Sequence, residues 1–447
     1  TKTYFVGQAR LEAFESEVEQ ERWEWQEPEN AELRRTPLYH VHKQMGANMV
    51  PFAGWEMPVW YSSVKEEHQA VREAAGLFDV GHMGVFEVTG ANAIPFLDVV
   101  FSNYAAWIDD GESMYGYFLE PDGAVIDDGI IYRVAADHFY MVVNASNEEK
   151  DWDWLNAVND GRVLIDEGRP WVEAGARAML RNLKRSEAGA DQRRDLALQG
   201  PASLDIAQRL THDPELKIRL ARMRRTELME CELAGVPLLV ARTGYTGEEC
   251  GYEILVHPDD AETLWKAILR EGEDLGVRAC GLACRDSTRI EAGLPLYGHE
   301  LAGPFEIDPV EAGFPGYVKY HKPFFVGRRA LLEKEGERVR ELVRFRVTEK
   351  GTRRPDLGDP VVDRRGREIG KVTSCSIDTQ GYLVGLAIVE RRYNTPDTPI
   401  AIFPLRGKSL DEALLRGNRV QLPIEATIIT RFPEAEGAGP PWMGVED

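Results

Sequence analysis

Residues 115–146 read YGYFLEPDGAVIDDGIIYRVAADHFYMVVNAS. Two adjacent acids, Asp127 and Asp128, follow Val125-Ile126 and precede Ile130-Ile131-Tyr132. A carboxylate inside an apolar run is costly unless it is paired or put to use. Neighbours in a strand point to opposite faces, so only one of the two acids can meet a given surface. Tyr132 lies four residues past Asp128 and shares its face. Tyr115 and Asn144 bracket the same stretch. A strand tyrosine taken alone is most often core filling.

Two further clusters carry polar chemistry. RTGYTGEECGYE, residues 242–253, supplies Tyr245 and Glu253 among Gly244, Gly247 and Gly251, glycines that allow tight turns. It lacks the G-K-[ST] ending of a phosphate loop. CRDSTRIE, residues 284–291, offers Arg285, Arg289 and Glu291. For these an internal ion-pair network competes with a ligand role. His82, in GHM, reads as a hydrogen-bonded core histidine rather than a base. The five cysteines are scattered, and Cys280 and Cys284 form C-x3-C rather than C-x2-C. Reduced, partly buried thiols are expected, with neither a disulfide framework nor a metal site.

The elements that must hold these residues alternate in type. VKEEHQAVREAAGLFDV predicts a helix closed by Gly76, and GVFEVTG a strand. Pro51 and Ala53-Gly54 signal two turns, and ANAIPFLDVVFS a short helix. The opening stretch predicts two strands around a Pro121-Asp122-Gly123 turn, then a third strand. NEEKDWDWLNAV predicts a helix with Asn147 as its cap. The Arg-rich segment at 177–196 reads as an insertion or helical excursion on the surface. The alternation then resumes, suggesting two similar α+β halves. Beyond residue 330, short strands separated by turn residues argue for a small all-β domain. Residues 1–35 form a charged extension in which EAFESEVEQERWEWQ suggests a short helix, with Trp23 and Trp25 docking on the body.

With 447 residues, two or three domains are expected. The net charge of −22 argues against a nucleic-acid partner, because phosphate backbones want a basic face. No apolar run is long enough to span a membrane. The N-terminal stretch reads as neither signal nor transit peptide, so a cytoplasmic location is expected.

Five blocks occur in order: TPLYHVHKQMGANMVPFAGWEMPVWY, EEHQAVREAAGLFDVGHMG, GAVIDDGIIY, RTGYTGEECGYE and CRDSTRIEAGLPLYG. Together they resemble the glycine-cleavage T-protein, or aminomethyltransferase, family over about residues 36–435. The resemblance implies an α+β fold: a three-domain cloverleaf of two interleaved α+β folate-binding subdomains (36–329) and a C-terminal antiparallel β-barrel (330–435) around a central cavity, with a tail at 436–447. It implies tetrahydrofolate in the cavity and a donor aminomethyl group on the lipoyl arm of a carrier protein, the H-protein. Ammonia and 5,10-methylene-tetrahydrofolate are the products. Asp128 matches the acid placed near folate N10, where a carboxylate orients the nitrogen and stabilises a cationic iminium. Asp127 is then a structural partner. Glu253 matches the acid that accepts paired N–H groups of the pterin. Tyr115, Tyr132, Asn144, Tyr245 and Arg285 match or neighbour positions that line the folate cavity.

Three features depart from the family pattern. They are the N-terminal extension with the 177–196 segment, Gly129 after the acid pair, and the TSCSIDTQGYLVG loop near 373–381. Gly129 is similar to the "DG" of folate-dependent demethylases with this fold. An alternative is therefore methyl transfer from a small sulfonium, amine or ether donor to folate N5. A non-enzymatic folate-binding protein is a third reading, but the Lys-Gly-Cys-type motif of those relatives is absent.

Overall fold

The computed structural model of the chain describes residues 20–27, 32–175, 177–405 and 423–433. In chain order the first elements are α1 (Tyr39–Gln44), β1 (Asn48–Phe52), β2 (Trp55–Trp60), α2 (Val64–Glu73), β3 (Gly76–Asp79), β4 (Gly84–Thr89) and α3 (Ala93–Val100). There follow β5 (Glu112–Leu119), β6 (Val125–Ala135), β7 (His138–Val143), α4 (Glu148–Asn159), β8 (Met179–Asn182) and β9 (Arg194–Gln199). Next come α5 (Ser203–Arg209), α6 (Pro214–Arg222), β10 (Leu228–Leu233), β11 (Val236–Ala241), β12 (Gly251–Val256), α7 (Ala261–Glu271), β13 (Arg278–Cys280), α8 (Leu282–Ala292) and α9 (Arg328–Lys334). The last strands are β14 (Arg340–Val347), β15 (Pro360–Val362), β16 (Glu368–Ile377), β17 (Leu383–Glu390), β18 (Pro399–Ile402) and β19 (Ile424–Ile429).

The strands form two open sheets, a hairpin and a barrel. One sheet has the order β5-β6-β7-β4-β8, the other β10-β11-β12-β9-β3-β13. The C-terminal strands close an antiparallel barrel, β14-β17-β16-β15-β18-β19, filled by Val343, Phe345, Val372, Ile402 and Ile428. The two open sheets face each other. Alternate residues of the first, such as Phe86, Ile131 and Met141, pack outward on α3 and α4 with Phe96 and Trp154. Alternate residues of the second, such as Leu198, Val240 and Ile254, pack outward on α5, α6 and α7. The inner faces meet through Val85, Tyr140 and Val142 on one side and Leu228, Leu239 and Leu255 on the other. Tyr132 lies in this inter-sheet layer, whereas Tyr115 packs in a neighbouring cluster with Leu301, Ile307 and Phe314.

Several sequence expectations need correction. The 177–196 segment is not a surface helical excursion: it supplies edge strand β8, a short 3-10 turn and the start of β9, a strand inside the second sheet. Its arginines line the strand edges, which hid the β pattern. Pro51 is no turn; it pairs with Glu56 inside the β1–β2 hairpin. The turn there is Ala53-Gly54, with φ of +48 and +75°, as a two-residue hairpin loop requires. Gly76 does not close α2. It opens β3, where a Cβ would lie 2.5 Å from Val71 Cγ2, so it serves close packing. Of the three glycines at 244–251, only Gly247 has positive φ; Gly244 and Gly251 make room for the Gln199 side chain. The predicted N-terminal helix falls mostly outside the described residues, and its described end, 20–26, is not helical. Trp23 does dock: its ring lies 5.1 Å from that of Trp154, and its Nε1 donates to Asp153 at 2.8 Å.

Candidate functional site

The turn between β5 and β6 is the predicted one, with Gly123 at φ +83°. The two strands then run together, pairing Gly116 with Gly129 and Tyr117 with Asp128. Gly129, the departure noted above, is needed because a Cβ there would stand 2.8 Å from the Val142 carbonyl. The strand alternation separates the two acids. Asp127 points outward under α4, and Asp128 points into the inter-sheet space with Tyr132.

Asp127 is fully buried and saturated with donors. The Asn144 amide Nδ2 donates to its Oδ1 at 2.8 Å, Asn144 N to its Oδ2 at 3.0 Å, and Asn147 Nδ2 to its Oδ1 at 2.6 Å. Asn147 therefore holds Asp127 instead of making the predicted side-chain cap on α4. Behind them Asp151 is buried; desolvation and the nearby Asp127 push its carboxyl well above the carboxylate range, so it is a neutral neighbour.

Asp128 is half-buried. Tyr115 Oη donates to its Oδ2 at 2.8 Å, and Asn144 Nδ2 to its Oδ1 at 2.9 Å. Loss of hydration raises its carboxyl to about 7, and the neighbouring Asp127 adds to that rise. The hydrogen bonds from Tyr115 and Asn144 act in the opposite sense. The result is a single carboxyl that exchanges its proton near neutral pH.

Across the gap, β12 presents Glu253. Its Oε2 accepts from Tyr132 Oη at 2.8 Å and Thr243 Oγ1 at 2.5 Å. Its Oε1 takes no hydrogen bond among the described residues. Tyr132 is 1 % exposed, so it supports Glu253 from beneath instead of lining an open surface. Beside it Asp195 is pushed far up by burial, then by Glu253, and is neutral. The α8 residue Arg285 lies 4.8 Å over the Tyr245 ring, and its buried Nη1 has no hydrogen-bond partner among the described residues. Tyr245 Oη donates to the Pro295 carbonyl. The charge of Asp128 bears on both Tyr115 and Tyr245, and that of Arg285 on Asp195, so the two ends form one electrostatic unit.

The seven predicted positions form three contact groups, Asp128 with Tyr115 and Asn144, Glu253 with Tyr132, and Arg285 with Tyr245, and the charge of Asp128 reaches the third group at Tyr245. Arg289 and Glu291 do not join them. Arg289 is buried between Glu300 at 2.6 Å, Asp286 at 2.9 Å and Ser374 at 2.7 Å, pinning α8 to the barrel. Glu291 receives His68, Arg72 and Thr379, the last from the rewritten loop after β16. These form the internal ion-pair network. Burial drives His82 down to about 3, so its ring is neutral; it is a core histidine, but not the hydrogen-bonded one expected, because its buried Nδ1 has no partner among the described residues. Cys280, Cys284 and Glu67 lie close together, but Glu67 already accepts from the amides of Tyr61, Ser62 and Gly281. Sequence reasoning missed Asn147, Asp151, Thr243 and Asp195. Asp195, an acid in the run RRDLALQ, carried the same signal as the Asp127-Asp128 pair. No described helix is long and apolar enough to cross a membrane.

Comparison with known proteins bears on this arrangement. Residues 38–322 match the family described as the GCVT N-terminal domain. The aminomethyltransferase of Symbiobacterium thermophilum is 41% identical over 386 residues, 85% of this chain and 96% of that protein. The aminomethyltransferase of Lysinibacillus sphaericus is 40% identical over 382 residues, 85% of this chain and 95% of its own length. The crystal structure of glycine cleavage system aminomethyltransferase T from Bartonella henselae superposes with a TM-score of 0.72 at 28% identity, covering 89% of this chain and 97% of that one. A family match over most of the chain, close relatives along nearly their full length and the same fold agree: this chain belongs to the glycine-cleavage T-protein, or aminomethyltransferase, family.

Proposed function

We propose that this chain takes an aminomethyl group from the lipoyl arm of a carrier protein and passes its carbon to tetrahydrofolate, releasing ammonia and giving 5,10-methylene-tetrahydrofolate. The observation that carries this reading is Asp128: one half-open carboxyl between two sheets, oriented by Tyr115 and Asn144 and titrating near neutral pH.

The residues present suit a pterin. Glu253 Oε1 is a carboxylate oxygen with no donor, matched to ring and amino N–H groups. Tyr132 and Thr243 fix its orientation from the other oxygen. Arg285 Nη1 is a buried donor lacking an acceptor, matched to a ring carbonyl or a carboxylate. Tyr245 and Tyr115 add aromatic walls. Bound there, tetrahydrofolate supplies the nitrogens that receive the one-carbon unit. Asp128 does the protein's share of the chemistry. With a carboxyl near 7 it can hold a proton at Oδ1 or Oδ2 for the departing amine. Once a cationic centre forms nearby, opposite charge draws it to the ionised form, which stabilises that centre. Asp127, saturated by asparagine amides, ties β6 to the start of α4.

The test is to incubate the pure protein with tetrahydrofolate and an aminomethyl-loaded lipoyl carrier, then identify the folate by mass. Methylene-tetrahydrofolate with released ammonia is expected. Bound but unchanged folate overturns the reading. A screen of methylated sulfonium, amine and ether donors for 5-methyl-tetrahydrofolate would then examine the alternative.

A further inference from the structure

A second concavity, of about 380 Å³, lies where α4 begins, beside β8 and β9. The chain carries a net charge of −22, yet this groove is lined by Arg34, Arg35, Lys184, Arg185 and Arg194 against only Glu148 and Glu149. Internal pairing leaves the imbalance in place. Glu148 lies 3.3 Å from Arg34 and 3.8 Å from Lys184, and Glu149 lies 2.9 Å from Arg185. Arg35 reaches Glu56 at 3.2 Å. Among the described residues Arg194 donates only to backbone carbonyls, those of Arg193 and Lys184, and its buried Nε has no partner. Counting these three acids and Asp79, whose charge reaches both Lys184 and Arg194, one cation remains uncompensated among the described residues.

The floor is built for charge. Lys184 Nζ donates to the carbonyls of Gly81, His82 and Met83 at 2.8–2.9 Å and sits 4.1 Å over the Trp55 ring. Burial pulls its ammonium down to about 7, and Arg194 and Arg34 push the same way despite Glu148. Burial is the main cause, with Glu148 and Asp79 opposing it, and an arriving carboxylate would likewise favour the charged ammonium. The rim side chains of Arg34, Arg35 and Arg185 are 40, 56 and 46% exposed, so they can reach a partner. Their spread over separate segments of chain matches several carboxylates on a surface better than one small ion.

The position matters as well. Trp55 forms one wall, and it packs with Met57 and Ala145. Ala145 follows Asn144, whose amide holds Asp128. The groove is therefore one layer of side chains from the reacting space.

We propose that this groove is the docking surface for a carboxylate-rich face of the carrier protein that brings the donor arm. This rests on the reading of the site given above. Opposite charges at the rim would speed encounter and fix the register in which the arm is presented.

The experiment uses the full chain and the R35E/R185E double variant. Arg35 pairs with Glu56 and lies 4.2 Å over the Tyr39 ring, and Arg185 pairs with Glu149 and lies 5.5 Å over the Trp152 ring, contacts of exposed side chains whose loss costs modest stability. Binding of the lipoyl carrier protein is measured by calorimetry at low and high salt. In parallel, turnover is measured with aminomethylated dihydrolipoamide, the arm without its protein. The expected result is carrier affinity reduced about tenfold or more, with a flattened salt dependence. Turnover of the free arm should stay unchanged. Wild-type carrier affinity in the variant overturns the groove as the docking surface. Equal losses with carrier and free arm also overturn it, because the arginines would then serve the site itself. Free arm that wild-type protein cannot use would count against the proposed function, while the calorimetry would still decide the groove.

Discussion

The two sheets each carry buried carboxyls, and they treat them differently. On the β6 side Asp127 is saturated by amides, Asp151 behind it is neutral, and Asp128 is left half-open with its carboxyl near 7. On the β12 side Asp195 is neutral, and Glu253 takes two hydroxyl hydrogen bonds on one oxygen while the other stays unbonded. In both places a neutral acid backs a working one, so burial is not charged twice. The difference lies in the donors. Amides and a phenol around Asp128 leave its protonation adjustable, which suits proton traffic. Paired hydroxyls on Glu253 fix a direction, which suits recognition.

Three substitutions, read out in four measurements, test that division. Asp128→Asn keeps the shape and one of the two accepted hydrogen bonds but removes the titratable group. Turnover should fall by about 100-fold or more with folate affinity nearly unchanged. Steady-state rates with folate binding by calorimetry check this, and undiminished turnover would remove Asp128 from the chemistry. Glu253→Ala should do the reverse. Folate binding should weaken by about 2 kcal/mol, roughly 30-fold, with a smaller effect on the rate at saturation. A wild-type dissociation constant would place the pterin elsewhere. Tyr115→Phe removes a donor that favours the ionised form of Asp128. The Asp128-dependent limb of the pH–rate profile, near 7, should move to higher pH by about one unit or less. A shift to lower pH would contradict the assigned hydrogen bond. The smallest effect is on stability. The folded-state carboxyl of Asp128 lies above its ordinary value, so between about 4 and 7 the folded protein holds a proton the unfolded chain has lost. That contribution therefore declines as pH rises through this window. The urea-unfolding stability of Asp128→Asn relative to the parent should improve from pH 5 to pH 8, and a constant difference would show that Asp128 does not titrate there.

Much of the site was legible because its signals are local. The acid pair in an apolar run, the Pro-Asp-Gly turn and the even spacing from Asp128 to Tyr132 follow from strand geometry alone. What stayed hidden depends on long-range packing. Arg285 and Arg289 sit four residues apart in one helix, yet one stacks on Tyr245 and the other is locked to Glu300 and Ser374. No spacing rule separates them. The 177–196 segment looked like a surface excursion because its arginines mask two short strands, and only pairing with β4, β12 and β3 reveals them. Asn147 was read as a helix cap since its residue type suits that role, but Asp127 competes for its amide.

The place of β3 has a consequence for synthesis. It is made early, yet its neighbours in the sheet are β9, antiparallel, and β13, parallel. From Asp79 to the start of β9 the ribosome adds about 115 residues, which takes roughly 6–23 s at usual elongation speeds. The β5–β6–β7 meander carrying Asp128 can pair as it emerges, since its contacts are local. The sheet carrying Glu253 must wait, with Gly76–Asp79 as an open β-edge in the meantime. A nascent chain stalled before residue 194 should therefore be the form most dependent on chaperones, its acid-bearing hairpin formed and its pterin side not yet begun.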